Sequence, residues 1–270
     1  MLRNLSIGCL AGLALAAAAQ AVPTIDLGTR IVMENSAGRT LRLSVSGGEL
    51  VTAFNLRAQL GDGLAGGSEP VFQAVSFAGG IWDAYPKSVT GGPVNGAEQF
   101  AQASIAFGSA VSVPAQGLLA TLTIDTRGFY EGSSFPLRLK QTEIGADSDF
   151  VLTGGDTLIP NIINGQIVTA IGGDCNLDHK VDITDLGALA TNWQQTGGWQ
   201  QGDFNDDGLI DISDLGVLAT NWQRGVAGPD TAMSLQQGIE AVGLPSAVIP
   251  EPVSHVLLVP LGLLVLRRRV

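Results

Sequence analysis

One phrase is spelled twice in this chain. Residues 173–194 read GDCNLDHKVDITDLGALATNWQ, and residues 202–223, starting 29 positions later, read GDFNDDGLIDISDLGVLATNWQ. This repeat constrains the fold more than any other feature. Both copies must adopt one local structure, and units this short cannot each bury a core alone, so they must pack on each other. The acid of the chain is also concentrated here. Of 25 Asp and Glu residues, nine fall between Asp174 and Asp214, where Lys180 is the only Lys or Arg. An evenly acidic surface would bear on solubility, whereas a local cluster in a chain only 14% charged asks for a cation. No basic patch stands in the body of the chain, so nucleic acid has no electrostatic support as a partner.

Numbered from its first Asp, the first copy offers Asp174, Asn176, Asp178, Lys180, Asp182 and Asp185 at loop positions 1, 3, 5, 7, 9 and 12. The second offers Asp203, Asn205, Asp207, Leu209, Asp211 and Asp214. Calcium is a hard cation that takes six to eight oxygens, and a 12-residue loop wraps one ion when alternate residues face it. Position 7 gives only a backbone carbonyl, so Lys180 and Leu209 are acceptable there. Position 9 acts through water, and the acid at position 12 can use both oxygens. Position 6 must turn sharply. Gly208 meets that need, while His179 departs from it and weakens the first site, although His tolerates a left-handed backbone better than most residues. Without metal the loops gather like charge and should be loose.

After each loop, Leu186, Leu189, Ala190 and Trp193, and again Leu215, Leu218, Ala219 and Trp222, recur at i, i+3, i+4, i+7. That spacing predicts an amphipathic helix after each loop. Trp193 and Trp222 are therefore expected in the core rather than stacked on a sugar, and Trp199, between the copies, is expected to be freer. Val181 and Ile210 are apolar residues at position 8, expected to point toward each other or the core. Cys175, at position 2, should point away from the ion. A free thiol and an intermolecular disulfide are both open to it.

Two such loops, each followed by one helix and preceded by none, with Asp at position 12, resemble the type I dockerin. The resemblance covers residues 172–225 and implies two Ca2+ sites. Dockerins bind cohesin domains through loop positions 10 and 11, which here are Ile183-Thr184 and Ile212-Ser213.

From Val22 to Ile171 the chain alternates in TLRLSVS (40–46), VTAFNLRAQL (51–60) and LLATLTIDT (118–126), each bounded by turn residues. VFQAVSFA, QASIAFG, FPLRLK and NGQIVTA are further strands. Seven or more short strands with frequent turns predict a mainly β fold, an antiparallel β-sandwich. The run GLLATLTIDTRGFYEGSSFPLRL, with NGQIV after it, resembles the last strands of cohesin-like and carbohydrate-binding sandwiches, with Asn164-Gly165 as a hairpin turn. Gly172-Gly173 reads as a hinge, residues 226–247 as a spacer, and Met233–Val242 as a weak helix within it.

The ends read as targeting segments. Residues 1–21 carry one Arg, an apolar run and Ala19-Gln20-Ala21, the order of a secretory signal peptide. Its removal takes Cys9 and leaves one thiol, so no internal disulfide framework is expected. Residues 248–270 hold Pro250-Glu251-Pro252, an apolar run from Val253 to Leu266 and Arg267–Arg269. The run is shorter than the roughly 20 residues of a membrane span, but the terminal Arg cluster would hold that end inside the cell. In order and content this resembles the PEP-CTERM sorting signal, which implies an exosortase-type partner and a single C-terminal membrane segment that is retained or cut.

Catalysis has little to stand on. The two His are His179, in a loop, and His255, in the C-terminal segment, so the β region has neither His nor Cys. That removes most triads and zinc sites. Glu69, Asp83, Glu98, Asp125 and Glu131 are the carboxylates left for glycoside chemistry, and they form no motif. Trp82, Asp83 and Tyr85 could form part of a glycan-binding face, or pack locally. The sequence thus predicts an exported, non-enzymatic cell-surface protein for assembly or adhesion, partnered by a cohesin-type domain or a cell-surface polysaccharide. The alternative is a carbohydrate-binding accessory to polysaccharide breakdown.

Overall fold

The computed structural model describes residues 22–62, 69–108, 111–139, 148–228 and 233–244. The expected signal peptide and sorting segment lie outside them. Among the described residues no helix is long and apolar enough to cross a membrane.

Two sheets face each other across one core. The first runs β13 (Asn161–Ile163), β1 (Thr24–Asp26), β3 (Arg39–Ser46), β9 (Gly117–Asp125), β5 (Val71–Ser76). The second runs β12 (Thr157–Leu158), β11 (Asp149–Leu152), β4 (Leu50–Leu60), β10 (Ser134–Arg138), β14 (Gly165–Ala170), β2 (Thr29–Met33). β7 (Ala97–Phe107) and β8 (Val113–Pro114) also pair with β4, and β6 (Lys87–Val94) pairs with β7. Side chains alternate across a strand, so β3 buries Leu41, Leu43 and Val45, and β4 buries Phe54, Leu56, Ala58 and Leu60. Phe54 packs on Phe150 with centroids 4.7 Å apart. Each fully buried Leu or Phe is worth about 2 kcal/mol, whereas an exposed pair such as Lys87–Asp83 adds little because water screens it. The core therefore sets the stability of this part.

The sandwich departs from the expected antiparallel plan in two places. β1 pairs with β13 in parallel, and β2 pairs with β14 in parallel. These two strand pairs are one ribbon that leaves the first sheet and enters the second. The crossing lies at Gly28 and Gly165, where a Cβ on Gly165 would lie 1.9 Å from the Gly28 carbonyl oxygen. Asn164-Gly165 is thus a change of sheet rather than a hairpin turn, and glycine is there for close backbone approach.

A second core follows directly. Helices α1 (Ile183–Thr191) and α2 (Ile212–Thr220) start at Asp182 and Asp211, whose carboxylates accept the N–H groups of Thr184 and Ser213 at 2.8 Å. Leu186, Leu189, Leu215 and Leu218 are buried between them, as the spacing predicts. Each position-8 residue pairs with the far end of the other copy. The Val181 N–H donates to the Arg224 carbonyl (2.9 Å), and the Ile210 N–H to that of Gln195 (3.0 Å).

Three expectations change here. Gly172-Gly173 is a packed joint rather than a hinge. Both residues are buried, and a Cβ would lie 2.7 Å from Val217 Cγ1 at Gly172 and 2.8 Å from Leu218 Cα at Gly173. Ala170, Ile171, Ile31 and Met33 carry the second core onto the sandwich. The helix expected within residues 226–247 is present as α3 (Leu235–Val242), capped by Ser234 and closed by Gly243, but the segment is no spacer, because Ile239 and Leu244 pack into the second core. Trp199 is buried. Its Nε1 donates to the Asp174 carbonyl at 2.6 Å, and its ring stands edge-on to Phe204.

Candidate metal centres

Both loops fold the same way. Position 3 accepts the N–H of position 5, from Asp178 to Asn176 at 2.9 Å and from Asp207 to Asn205 at 2.8 Å. Position 5 accepts the N–H of position 7, from Lys180 and Leu209, at 3.0 and 2.9 Å. The side chains of Lys180 and Leu209 are exposed, which leaves their carbonyls as the groups on offer. Position 6 is left-handed in both, with His179 at φ +71° and Gly208 at φ +89°. Asp182 and Asp211, at position 9, cap the helices. Asp185 and Asp214, at position 12, reach back to the N–H groups of Asp182 and Asp211 at 2.9 and 3.0 Å. One carboxylate thus closes both a capping box and the ring of the loop.

The carboxylates at positions 1 and 12 are buried. Asp174, Asp185 and Asp214 are 0% exposed and Asp203 is 2% exposed. Among the described residues no Lys, Arg or His forms an ion pair with any of the four. Burial pushes Asp185 and Asp203 up to about 6 and moves Asp174 and Asp214 upward as well. Asp174 accepts the N–H groups of Asp178 and His179 at 3.2 and 3.0 Å, and Asp185 that of Cys175 at 2.8 Å. Asp214 accepts that of Phe204 at 2.8 Å. Asp203 accepts the Gly208 N–H through Oδ2 at 2.9 Å, but its Oδ1 is buried with no hydrogen-bond partner. A buried orphan carboxylate oxygen is expensive unless something outside the protein meets it.

Among the described residues no three His, Cys, Asp or Glu side chains form a metal-holding group by themselves. A calcium loop does not require that, because Asn oxygens and a carbonyl complete the set. Carboxylate oxygens that already accept an N–H keep further lone pairs. The donor set and the orphan oxygen of Asp203 fit a hard cation of this kind.

The two loops differ in their surroundings. Residues 176–180 of the first are exposed, and its contact with the sandwich is His179 Nδ1 to Glu131. That hydrogen bond raises the imidazole pKa. The second loop lies against β3. Thr40 Oγ1 donates to the Asn205 carbonyl at 2.6 Å, the Arg42 N–H donates to Asp206 Oδ2 at 2.8 Å, and the Arg42 guanidinium donates to the Asp207 carbonyl.

At positions 10 and 11, Thr184, Ile212 and Ser213 face solvent, while Ile183 is half-buried against the second core. Trp193 and Trp222 pack on the same core, as expected, and Trp222 Nε1 donates to the Met233 carbonyl at 2.7 Å. Cys175 is buried, its Sγ 3.6 Å from the Asp185 carbonyl, and burial pushes the thiol pKa up. The structure therefore removes the intermolecular disulfide. It also takes Trp82 out of the expected glycan face: Trp82 is fully buried with Nε1 on the Leu119 carbonyl at 2.9 Å, while Tyr85 stays exposed, edge-on to Phe107. The carboxylates considered for catalysis are held locally. Glu69 accepts the Asp62 N–H, Asp83 pairs with Lys87, Glu98 accepts the Gly96 N–H, Asp125 pairs with Arg127, and Glu131 meets His179.

No family model matches the sequence, and no curated protein matches it. Among solved structures, the chain is similar to a non-cellulosomal cohesin of Archaeoglobus fulgidus. The TM-score is 0.37 and the identity 15%, over 56% of this chain and 92% of that one. A cohesin of Acetivibrio cellulolyticus, solved in complex with a dockerin, gives TM-score 0.43 and 14% identity over 54% and 98%. A cohesin of Clostridium acetobutylicum gives 0.40 and 11% over 56% and 92%.

Proposed function

We propose that this chain is an exported, non-catalytic cell-surface protein whose dockerin-like pair binds two calcium ions and presents a surface for protein–protein assembly or adhesion. The observation that carries the calcium reading is Asp203 Oδ1, a carboxylate oxygen buried in the second loop with no hydrogen-bond partner. Asp203, Asn205, Asp207, the Leu209 carbonyl, Asp211 through water and Asp214 would hold one ion. Asp174, Asn176, Asp178, the Lys180 carbonyl, Asp182 and Asp185 would hold the other. Calcium supplies positive charge that offsets burying these carboxylates.

The partner surface is Thr184, Ile212 and Ser213 with the half-buried Ile183, and the partner it suits is a cohesin-type domain. The sorting segment would place the protein at the envelope through an exosortase-type enzyme. The burial of Trp82 leaves the carbohydrate-binding alternative with Tyr85 alone of its two expected aromatic residues.

The test is a calcium titration of the EDTA-stripped chain by isothermal calorimetry, with far-UV circular dichroism alongside. Two equivalents of calcium and a gain of helix are expected. No heat and no spectral change up to millimolar calcium would overturn the reading.

A further inference from the structure

β1 pairs with Val45 and Ser46 of β3, so among the described residues the Arg39–Ser44 half of β3 has no neighbouring strand on that edge. An unpaired edge is a liability that proteins cover. Here the cover is the second loop. Asp206, at loop position 4 with φ +56°, turns its carboxylate onto the free N–H of Arg42. Thr40 and the Arg42 guanidinium take the carbonyls of Asn205 and Asp207, the residues at loop positions 3 and 5. Gly208 leaves room for that guanidinium, since a Cβ there would lie 2.3 Å from Arg42 Nη1. Three consecutive loop residues are thus fixed from outside, on the segment that carries two of the loop's ligand side chains.

We propose that β3 is an outer shell of the second calcium site: Thr40 and Arg42 are positioning residues that hold loop positions 3 to 5 ready for the ion. The inference rests on the calcium reading of the loops. Groups that orient ligands are commonly worth 10- to 100-fold in metal affinity. Among the described residues the sandwich meets the first loop through the exposed His179–Glu131 pair, at loop position 6 rather than at a ligand position, so the second site is expected to be the tighter of the two. Coupling is reciprocal, so calcium in turn protects the edge of β3.

The charge of Arg42 makes the test diagnostic. Removing a guanidinium beside a cation site would, by charge alone, tighten calcium binding. Only loss of support weakens it. Calcium is titrated calorimetrically into the whole chain carrying Asp174→Ala, which isolates the second site, with and without Thr40→Val and Arg42→Met. The double substitution should weaken calcium about tenfold, and Arg42→Lys, with Thr40 intact, should retain most of the affinity. Affinity that is unchanged or tighter overturns the proposal. If the double variant fails to reach the parent's circular dichroism in saturating calcium, the uncharged Thr40→Val alone decides, with a severalfold loss expected and no loss overturning. Hydrogen exchange gives the second readout: calcium should slow the Arg42 amide in the parent, and an amide indifferent to calcium would overturn the coupling. A parent that takes up no calcium shows no heat at all. That result removes the calcium reading and this inference with it, and it differs from normal heat left unchanged by the substitutions.

Discussion

At Gly173 the backbone sits at φ +101°, and an added Cβ would lie 2.8 Å from the Cα of Leu218. At Gly187, inside α1, nothing lies within 4 Å of the same added atom. One substitution should therefore have opposite signs at the two sites. Gly173→Ala forces a disfavoured backbone against another main chain and should cost about 2 kcal/mol or more. Gly187→Ala removes helix-interior glycine entropy and should gain about 0.5–1 kcal/mol. Urea unfolding in calcium checks both, and a neutral Gly173→Ala would return Gly172-Gly173 to the status of a hinge. Sequence alone could not separate these roles. A glycine kept for freedom and a glycine kept for close approach are spelled alike. By contrast, the left-handed turn at His179 was legible, because the loop register fixes which residue must make it.

At the scale of the element, the turns of the loops were legible because Asn and Asp at alternate positions accept the backbone N–H two residues on. The helices were legible from their apolar spacing. Strands β3, β4 and β9 were legible from alternation. β6 was not, because its Gly91-Gly92-Pro93 reads as a turn, although it pairs along β7 in the structure. The contact of Asp206 with β3 was invisible, being set by where β1 stops. The buried loop acids also give a pH prediction for the calcium-free chain. Asp185 and Asp203 rise from ordinary carboxylate values to about 6 on folding. Between those limits the folded form holds more protons than the unfolded one, so stability falls as pH rises. In EDTA the helical signal should therefore be lost more easily at pH 7 than at pH 4.5. With calcium the order should reverse, because the ion needs the deprotonated acids. Thermal melts followed by circular dichroism at the two pH values, with and without calcium, decide it. Identical melting at both pH values in EDTA would contradict the burial of these groups.

At the scale of the whole molecule, the sandwich and the helical pair share a seam with no linker. Ala170 ends β14, Ile171 is already in the second core, and Asp174 is the first loop residue. Ile31 and Met33 reach into that core from β2, and Arg224 pairs with the buried Glu34. Removing one partner of a buried pair leaves a charge without compensation, so the two parts cannot separate cheaply. On the proposed reading calcium binds the folded pair only, and at a hundred times its dissociation constant each site would add about 2.7 kcal/mol. Saturated with calcium, the helical pair should be stable enough to melt with the sandwich in a single calorimetric transition. In EDTA that contribution goes, and the buried acids repel. The pair should then melt first, as a separate transition at lower temperature. Arg224→Ala should bring the separation back even in calcium, by leaving Glu34 unpaired at the seam. Two resolved transitions in calcium-saturated wild-type chain would mean that the seam, though packed, does not couple the two parts.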